Sequence, residues 1–440
     1  MNATRRELLQ VMGCAPLLPS WPSPEAFAKE TRRADSHRIR DYFSQLSTTH
    51  NGHSLVYLDS AATTLRPSPV LDAIRKFYET QNANPGREIH FLAATAADEF
   101  DSARARIARF INAADPLEII WTRGTTEALN LVASAWGGPQ LQAGDELILT
   151  VAEHASSMLP WQIAAAKARA TIRYLEVDEN GKLKPQNLDN LLSKRTKLVC
   201  FTYASNVLGA INPAKELCHR ASEAGARVVI DAAQAVPHFP IDVQELGCDF
   251  AAFSGHKMLG PMGVGALYAR REVMEEMQVY QSGSNMAHAR SLTDWHYSPG
   301  ALRFGAGTPN VADAVGLAAA ADWLTMFDRG KLWSSEQQLT RYALARLQQV
   351  RGLRILGPLV AEQRTSIFSF VIDGVAPSTI AHHLDDVGIC IRAGDLASTP
   401  LLQRFGLESA ARASLYVYST EAEINRLADA LEQLESNKNT

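Results

Sequence analysis

The feature that most restricts the fold is a lysine held between two apolar runs in residues 248–268. Residues 250–253 are apolar, the run SGHK ends at Lys257, and a glycine-rich turn leads to a second apolar run at residues 264–268. Short apolar runs bounded by glycine turns predict buried strands. Because lysine is strongly solvated, Lys257 on this turn indicates either a Schiff-base site or a surface lysine in a hairpin loop.

Another apolar run, upstream of Lys257, ends in a carboxylate. Residues 228–231 read Val-Val-Ile-Asp, which predicts a buried strand with Asp231 at its carboxyl end. In an α/β sheet that end opens onto the ligand crevice. A turn lysine and a strand-end aspartate are the pair that pyridoxal 5'-phosphate (PLP) needs. In such a site Lys257 would bind the cofactor aldehyde and Asp231 would keep the ring nitrogen protonated.

Length and composition exclude several classes of protein. At 440 residues the chain exceeds one simple domain and fits a large and a small domain. A net charge of -4 gives no reason to expect nucleic acid or an anionic membrane as a partner. The five cysteines lack CxxC spacing, which argues against a metal site and a disulfide framework. No apolar stretch reaches the roughly 18 residues that an integral membrane segment requires.

Residues 1–35 form an N-terminal extension with features of an export signal. Arg5 and Arg6 precede a weakly apolar run at residues 11–22, and residues 26–28 read Ala-Phe-Ala, which suits a signal peptidase. This pattern predicts a twin-arginine (Tat) signal and a protein of the periplasm. The alternative is an amphipathic or disordered extension of a protein of the cytoplasm, because the apolar run is short and broken by prolines.

Helical and strand periodicities alternate along the rest of the chain. Further strands are predicted at residues 146–150, 197–202, 367–372, 389–391 and 413–418. Helices are predicted at residues 34–50, 67–80, 97–111, 314–326, 335–350 and 378–387, the last capped by Ser378, and after a capping box at Thr420 and Glu423. The alternation predicts an α/β fold with a mainly parallel sheet in its larger part. We expect residues 36–55 to join a small domain, 56–320 to form a large PLP-binding domain and 321–440 to form the small C-terminal domain.

The start of one predicted helix is a candidate phosphate site. Residues 119–122 predict a strand, and Gly124, Thr125 and Thr126 connect it to a helix. Backbone N–H groups at a helix N-terminus, with threonine hydroxyls beside them, suit a phosphate group. Ordinary threonine capping of a helix is the alternative.

Several segments in a fixed order give the chain a family resemblance. They are YLDSAATT, TRGTTEALNLVA, AEHASSMLPWQ, SNVLGAINP, VIDAAQAV, FSGHKMLGPMGVGALY, FGAGTPN, IRAG and ARASLYVYST. Through them, residues 57–434 resemble the aminotransferase class V family, and within it the branch of SufS/CsdA-type cysteine desulfurases and selenocysteine lyases. The resemblance implies a PLP-dependent enzyme of fold type I, with a large domain on a mainly parallel sheet and a smaller C-terminal α+β domain.

The resemblance also implies roles for individual residues. Lys257 and His154 are the implied catalytic residues. The other implied cofactor contacts are Thr125, Thr126, Ser254 and His256 at the phosphate, His154 on the ring face, Asp231 at the ring nitrogen, and Asn206 and Gln234 at the ring oxygen. Arg412, Arg392 and Asn206 are implied to hold the carboxylate of an amino-acid-like substrate. Thr308 is implied to reach the phosphate of the neighbouring subunit, so the resemblance implies a homodimer with shared active sites.

The sequence departs from the family pattern at the group that would accept sulfur. Desulfurases of this branch carry Arg-x-Gly-x-x-Cys, and the corresponding run here places Ala397 at the cysteine. Asp395 and Leu396 fill positions that are often histidine. Ala155 stands where a second histidine is common, and Gly305 stands where glutamate is common. Alanine cannot carry a persulfide.

These residues predict an enzyme that acts on an amino acid without forming a protein persulfide. We expect a carbon–sulfur or carbon–selenium lyase, a transaminase or an epimerase, with Lys257 as the proton carrier at Cα. One alternative is a cysteine desulfurase that uses another thiol, such as Cys390. Another is a PLP-binding pseudoenzyme that binds the cofactor or a partner without turnover.

Overall fold

The computed structural model of the chain describes residues 39–86 and 89–436. The strands are β1 (Thr49–His50), β2 (His53–Ser54), β3 (Val56–Tyr57), β4 (Ile119–Thr122), β5 (Glu146–Thr150), β6 (Thr171–Leu175), β7 (Thr196–Thr202), β8 (Arg227–Asp231), β9 (Phe250–Ser254), β10 (Gly265–Ala269), β11 (Ala287–Ala289), β12 (Trp295–Tyr297), β13 (Leu353–Ile355), β14 (Ile367–Ile372), β15 (Ile389–Cys390), β16 (Arg392–Gly394) and β17 (Ala410–Ser414). The α-helices are α1 (Ser68–Lys76), α2 (Phe91–Phe110), α3 (Thr125–Val132), α4 (Gly138–Gln140), α5 (Ala155–Ala168), α6 (Pro185–Asp189), α7 (Ala214–Glu223), α8 (Val243–Leu246), α9 (Arg271–Glu275), α10 (Val311–Met326), α11 (Arg329–Leu347), α12 (Pro377–Asp386), α13 (Thr399–Arg404) and α14 (Glu421–Ser436).

Seven strands form a large sheet, in the order β4-β10-β9-β8-β7-β5-β6. Strand β10 is antiparallel to both of its neighbours, β4 and β9. The other neighbouring pairs, from β9 across to β6, are parallel. The predicted mainly parallel α/β sheet is therefore confirmed.

Alternate residues of the central strands enter two separate apolar cores, one on each face of the large sheet. Val228 and Ile230 of β8 pack into one core, together with Leu217 of α7. Val229, between them, packs into the other core with Trp161 of α5. Strands that are covered on both faces carry continuous apolar runs, which is why this segment could be recognised from sequence.

Four strands form a small sheet in the order β13-β14-β17-β16, with antiparallel pairing throughout. Helices α11, α12 and α14 pack with it around one apolar core. The segment before the large sheet also contributes to this core through Val56 and Leu58. Strand β3 pairs in parallel with β15, next to the small sheet. The domain boundaries drawn from the sequence remain a prediction.

Two element bounds differ from the expectation. The helix expected at residues 34–50 is present at residues 39–40 of the described part, but Ser44–Ser47 is a 3₁₀ turn and Thr49–His50 is a strand. Asn51 and Gly52, both with positive φ, form a tight turn that pairs β1 with β2. The strand expected at 413–418 is β17, which ends at Ser414; residues 415–416 are irregular and 417–418 form a turn, although most of their side chains remain buried.

Ser378 does not cap its helix. Ala376 occupies the cap and Pro377 the first helical position, where the missing proline N–H has no partner to lose. The capping box of the last helix is confirmed, since the N–H of Thr420 donates to Glu423 at 2.8 Å and the N–H of Glu423 to the Thr420 hydroxyl at 3.3 Å. Among the described residues, no helix combines the length and apolar character needed to cross a membrane.

Candidate active site

A cavity of about 520 Å³ opens where β7, β8 and β9 end. The last residues of these strands, Thr202, Asp231 and Ser254, are part of its wall. Every site residue expected from the sequence except Thr308 lines it: Thr125, Thr126, His154, Asn206, Asp231, Gln234, Ser254, His256, Lys257, Arg392 and Arg412. The fold thus assembles side chains that are widely separated in sequence.

Lys257 and Asp231 share this cavity. Asp231 is buried, and its Oδ1 accepts a hydrogen bond of 2.9 Å from the N–H of Ala233, which fixes the carboxylate at the end of β8. Lys257 ends a short 3₁₀ turn after β9. Burial of the amine lowers the pKa of Lys257 to about 8, an effect that Asp231 opposes and Arg412 reinforces. Lys257 is therefore a cavity lysine and does not sit on an exposed hairpin tip.

The turn before α3 and the end of β9 bring together N–H and hydroxyl groups of the kind that bind anions, and this cluster around Thr125 and Ser254 is here called the anion cradle. The backbone N–H of Thr125 donates to the Ser254 hydroxyl at 2.8 Å, and the two hydroxyls lie 2.8 Å apart. Gly124 has φ +149°, and a Cβ there would lie 3.1 Å from the Ser254 hydroxyl. A Cβ on Gly265 would lie 2.6 Å from the Cα of Gly124. Glycine is thus required at both positions for the helix N-terminus to reach Ser254.

His154 directly precedes α5, and its hydrogen bonding is that of a neutral imidazole. Its Nδ1 accepts from the N–H of Ser156 at 3.0 Å, so this nitrogen carries no proton. Burial, and then the charge of Lys257, lower the pKa of His154. The Ser156 hydroxyl lies 2.8 Å from that of Thr126, which joins the start of α5 to the anion cradle. Burial, Lys257 and Arg66 also lower the pKa of His256, to about 4.

Arg392 and Arg412 share one counter-ion, Asp59. Arg392 contacts Asp59 through Nε at 3.2 Å and Nη2 at 2.7 Å, and its side chain is 52% exposed. Arg412 is buried, donates to the carbonyl of Asn206 at 2.9 Å and reaches Asp59 at 3.4 Å. Its Nε makes no hydrogen bond. Burial lowers the pKa of Arg412 to about 10, and Asp59 opposes this shift.

Residues 395–398, here called the 395–398 loop, close one side of the cavity. The Asn206 amide donates to the Leu396 carbonyl at 2.9 Å and accepts from the Ser398 hydroxyl at 3.2 Å. The Ala397 carbonyl accepts from the N–H of Ala155 at 2.8 Å. The Leu396 side chain is buried in an apolar cluster that includes Val207 and Leu208. Hydrogen bonds and packing therefore fasten this loop to the large-sheet side of the cavity.

Two predicted residues have surroundings that the sequence did not indicate. Gln234 is buried and donates from its amide to the carbonyl of Ala61 at 2.7 Å, which leaves part of its amide for the cavity. Thr308 lies outside the cavity of its own chain, and its hydroxyl accepts from the Asn84 amide at 3.3 Å. A role for Thr308 at a phosphate therefore needs a second chain.

Sequence reasoning missed three residues that hold the site together. Asp59 contacts both arginines, Ser156 joins α5 to the anion cradle, and Glu153, which precedes His154 in the chain, is buried. Glu153 accepts from the hydroxyls of Thr150 at 2.6 Å and Ser157 at 2.7 Å. Burial raises the pKa of Glu153 to about 7. The acidic residue in YLDSAATT and the one before His154 were the available signals.

No cysteine of the described residues lines the cavity. Cys200, Cys218 and Cys248 are buried in the core, and Cys390 is half-buried in β15. Burial raises the pKa of Cys390, and Asp385 adds to this effect, so its thiol is not activated. Ala397 is the residue of the 395–398 loop that corresponds to the expected nucleophile, and it lines the cavity.

The residues present fit PLP. Lys257 supplies an amine with a lowered pKa, Asp231 supplies a carboxylate for a ring nitrogen, and His154 supplies a neutral ring. The cradle around Thr125 and Ser254 supplies donors for a phosphate. These are the groups that a PLP site requires.

Residues 56–427 match the aminotransferase class-V family. A probable cysteine desulfurase of Streptomyces coelicolor is 42% identical over 405 residues, covering 91% of this chain and 97% of the relative. A probable cysteine desulfurase of Halalkalibacterium halodurans is 41% identical over 399 residues, covering 91% of this chain and 98% of the relative. The crystal structure of the cysteine desulfurase CsdA (S-sulfonic acid) from Escherichia coli has a TM-score of 0.84 and 34% identity, over 92% of this chain and 99% of that chain.

These similarities confirm three expectations drawn from the sequence. They cover nearly the whole segment in which the family motifs were recognised. The likeness to the Escherichia coli structure confirms the fold type I architecture. The family and the fit of the site identify PLP as the cofactor. The chain belongs to the aminotransferase class V family of PLP-dependent enzymes.

Proposed function

We propose that this enzyme is a carbon–sulfur or carbon–selenium lyase that acts on an amino acid without forming a protein persulfide. The observation that carries the proposal is Ala397, which lines the cavity on the 395–398 loop in place of a thiol. The groups for amino-acid chemistry remain in the same cavity, among them Lys257, Asp231 and Arg412. The described residues that line this cavity include these groups and no cysteine, which suits a reaction whose leaving group departs without a protein sulfur acceptor.

The side chains that line the cavity have separate roles in the proposed reaction. PLP, when bound, supplies an electron sink for the charge that develops at the substrate Cα. The lowered pKa of Lys257, about 8, makes its amine available as a proton carrier near neutral pH. Arg412 lines the cavity, and its planar guanidinium group is suited to an α-carboxylate. His154, neutral and fixed by Ser156, forms a flat wall for a ring.

The test is incubation of the purified holoenzyme with cysteine, cystine and selenocysteine. The expected products are pyruvate and ammonia, together with sulfide from cysteine, thiocysteine from cystine or selenide from selenocysteine. Persulfide labelling after incubation with cysteine is expected to find no modification of the chain. A protein persulfide would overturn the proposal. Release of a keto acid with conversion of the cofactor to its amine form would identify a transaminase, and recovery of the D-amino acid would identify an epimerase.

A desulfurase that uses Cys390 is the main alternative function. Its thiol lies in β15, where burial raises its pKa, and it does not line the cavity. The variant Cys390→Ala separates the two proposals, because it abolishes desulfuration in the alternative and leaves the lyase active. A PLP-binding pseudoenzyme would keep its visible absorbance unchanged with every amino acid tested.

We also propose a homodimer with shared active sites. The hairpin of β11 and β12, which precedes Thr308 in the chain, carries exposed apolar side chains, since Leu292 is 99%, Trp295 54% and Tyr297 46% exposed. Such a surface favours association. If Thr308 acts in the partner's site, mixing and refolding Lys257→Ala chains with Thr308→Ala chains restores activity, because one site of the mixed dimer is complete. Failure of the mixture to regain activity, with both variants dimeric by light scattering, contradicts this proposal.

Export to the periplasm by a twin-arginine signal remains our proposal for localisation. Arg5 and Arg6 and the Ala-Phe-Ala segment lie outside the described residues. N-terminal sequencing of the protein purified from its source tests it. A mature chain that begins near residue 29 supports export, and an intact Met1 in the cytoplasmic fraction contradicts it.

A further inference from the structure

An acidic side chain, Asp395, stands at the mouth of the cavity beside the carboxylate-binding arginines. In the small sheet, Gly394 is the register partner of Ala410. Arg412 lies two residues further along β17, which is about 7 Å of strand. Asp395 follows Gly394 and lines the same cavity as Arg412. A substrate held through its α-carboxylate at Arg412 therefore has Asp395 within reach of its side chain.

The carboxylate of Asp395 is not neutralised by a cation. Its Oδ1 accepts from the N–H of Ala397 at 3.2 Å and its Oδ2 from the Thr399 hydroxyl at 3.3 Å. Both hydrogen bonds are long and leave acceptor capacity on each oxygen. Within residues 39–86 and 89–436, no ion pair involves Asp395, since the neighbouring Arg392 is engaged by Asp59.

The mouth of the cavity therefore carries a negative charge on the side of the 395–398 loop. Arg392 contacts Asp59 through two nitrogen atoms, at 2.7 and 3.2 Å. Arg412 shares the same carboxylate, so the α-carboxylate site retains one net positive charge. Arg412 and Asp395 line the same cavity as His154, and their opposite charges shift the pKa of His154 in opposite directions. Positive charge at one end and negative charge at the other define the polarity of the bound molecule.

We propose that Asp395 selects substrates whose side chain ends in a cation, namely S-substituted cysteines with an amine at the far end. This inference rests on the lyase function proposed above. Asp395 is exposed at the mouth, where opposite charges attract and like charges repel across a few ångströms. Amino acids with an acidic side chain are correspondingly disfavoured. When the sulfur leaves together with its own substituent, no thiol is needed at the position of Ala397 to accept it.

The reaction balances without an oxidant or a reductant. The Cα–H and Cβ–S bonds break and a Cα–Cβ double bond forms. The proton from Cα goes to Lys257, and the sulfur leaves with the electron pair of the Cβ–S bond and takes up a proton to become a thiol. Water then hydrolyses the enamine product to pyruvate and ammonia. For S-(2-aminoethyl)-cysteine the second product is 2-aminoethanethiol.

The experiment compares S-(2-aminoethyl)-cysteine with S-(2-carboxyethyl)-cysteine, using pyruvate release by the holoenzyme. The wild-type enzyme is expected to prefer the amine by about tenfold or more in kcat/KM. Asp395→Asn keeps an acceptor oxygen for Ala397 and removes the charge, and it is expected to reduce this preference about tenfold. Raising the salt concentration weakens the preference of the wild type and leaves that of the variant unaltered, because the mouth is exposed to solvent. An unchanged ratio in Asp395→Asn overturns the inference.

A matched variant separates charge from loop structure. Thr399→Val removes the hydrogen bond to Asp395 and keeps the carboxylate, so it is expected to retain the substrate preference. Loss of the preference in Thr399→Val would show that loop geometry, and not charge, decides it. Calorimetric binding of lysine and 2-aminoadipate, which lack the Cβ–S bond, supplies a readout that needs no turnover. Lysine is expected to bind more tightly to the wild type, and equal binding contradicts the inference.

Different results would contradict the lyase function and the role of Asp395. If S-propyl-cysteine releases pyruvate and the charged pair shows no preference, only the role of Asp395 is wrong. If no cysteine derivative releases pyruvate, the lyase function is wrong and the selection of cationic thioethers falls with it.

Discussion

The backbone N–H of Ala155 donates a hydrogen bond of 2.8 Å to the carbonyl oxygen of Ala397. This contact joins the first residue of α5 to the 395–398 loop. Both residues stand where the sequence departs from the pattern of the desulfurases it resembles. Neither alanine side chain can act as a nucleophile or a proton carrier. The hydrogen bond between their backbones holds the loop to the helix.

Replacing Ala397 with cysteine should introduce a sulfur acceptor. Ala397 lines the cavity with φ +54°, a conformation that alanine already adopts, so cysteine adds no backbone strain. We expect the A397C holoenzyme to carry a persulfide after incubation with cysteine, detected by mass spectrometry of the labelled chain. The matched control is Ser398→Cys, whose side chain lies on the buried side of the loop. Equal labelling of the wild type would contradict the assignment.

The two arginines should differ in their effect on substrate binding. Arg412 is buried and contacts Asp59 at 3.4 Å, whereas Arg392 is half exposed and contacts Asp59 more closely, at 2.7 Å. Lysine cannot reproduce a planar bidentate donor. Arg412→Lys is expected to lower kcat/KM by roughly 100-fold and Arg392→Lys by roughly 10-fold or less. The check is steady-state kinetics, with cofactor content measured to show that both variants still bind PLP. The reverse order would contradict the proposed carboxylate site.

Gly124→Ala should weaken cofactor binding and destabilise the fold. A Cβ at φ +149° would be strained and would lie 3.1 Å from the Ser254 hydroxyl, which the N–H of Thr125 contacts. We expect a loss of about 1–3 kcal/mol in the free energy of unfolding, and weaker binding of PLP on titration. Gly144→Ala is the control, because Gly144 has φ +90° with no atom within 4 Å of an added Cβ. That variant should be destabilised without a loss of PLP affinity.

The reactivity of Lys257 should follow a pKa of about 8. Its amine becomes available as the pH rises through that value, whereas an ordinary lysine amine requires a pH near 10.4. In the cofactor-free protein, labelling of Lys257 by an amine-reactive reagent, followed by peptide mapping, is expected to be half-maximal near pH 8. Exposed Lys331 in the same sample serves as the reference. Asp231→Asn should shift the midpoint downwards, because Asp231 raises this pKa. A midpoint above pH 10 would be the contrary result.

Glu153 should make the stability of the protein depend on pH. Burial raises its pKa from 4.5 to about 7, so the folded state binds the proton more tightly than the unfolded state does. The free energy of unfolding is therefore expected to fall, by up to about 3 kcal/mol, as the pH rises from about 4.5 to 7. The measurement is urea unfolding of the wild type and Glu153→Gln across this range. Parallel pH profiles for the two proteins would show that Glu153 does not titrate there.

Local sequence patterns were sufficient to predict the site residues that lie at the end of one strand or on the turn that follows it. Asp231 ends β8 and Lys257 follows β9, and both positions could be read from apolar runs and glycine turns. The hairpin β1–β2 was missed although Asn51-Gly52 is a strong two-residue turn signal. Periodicity was misleading after Ser414, where buried residues leave the sheet.

The remaining features depend on contacts between distant parts of the chain. The link from Asp59 to Arg392 and Arg412 spans most of the sequence, and no local pattern indicates it. The same holds for Asn206, which was expected to face the cofactor and substrate and whose amide also holds Leu396 and Ser398. Such pairings follow from how the two sheets meet, and propensity or periodicity carries no information about them.

Asp59 lies between Arg392 and Arg412, so a substrate carboxylate that enters the site meets arginines that already have a counter-ion. A substrate carboxylate that reaches Arg412 meets a guanidinium that already has a carboxylate 3.4 Å away. The two carboxylates repel each other, so the substrate binds less tightly than it would to an isolated guanidinium group. The same repulsion assists the release of a product that keeps its carboxylate. Asp59 therefore weakens binding and speeds release at the same site.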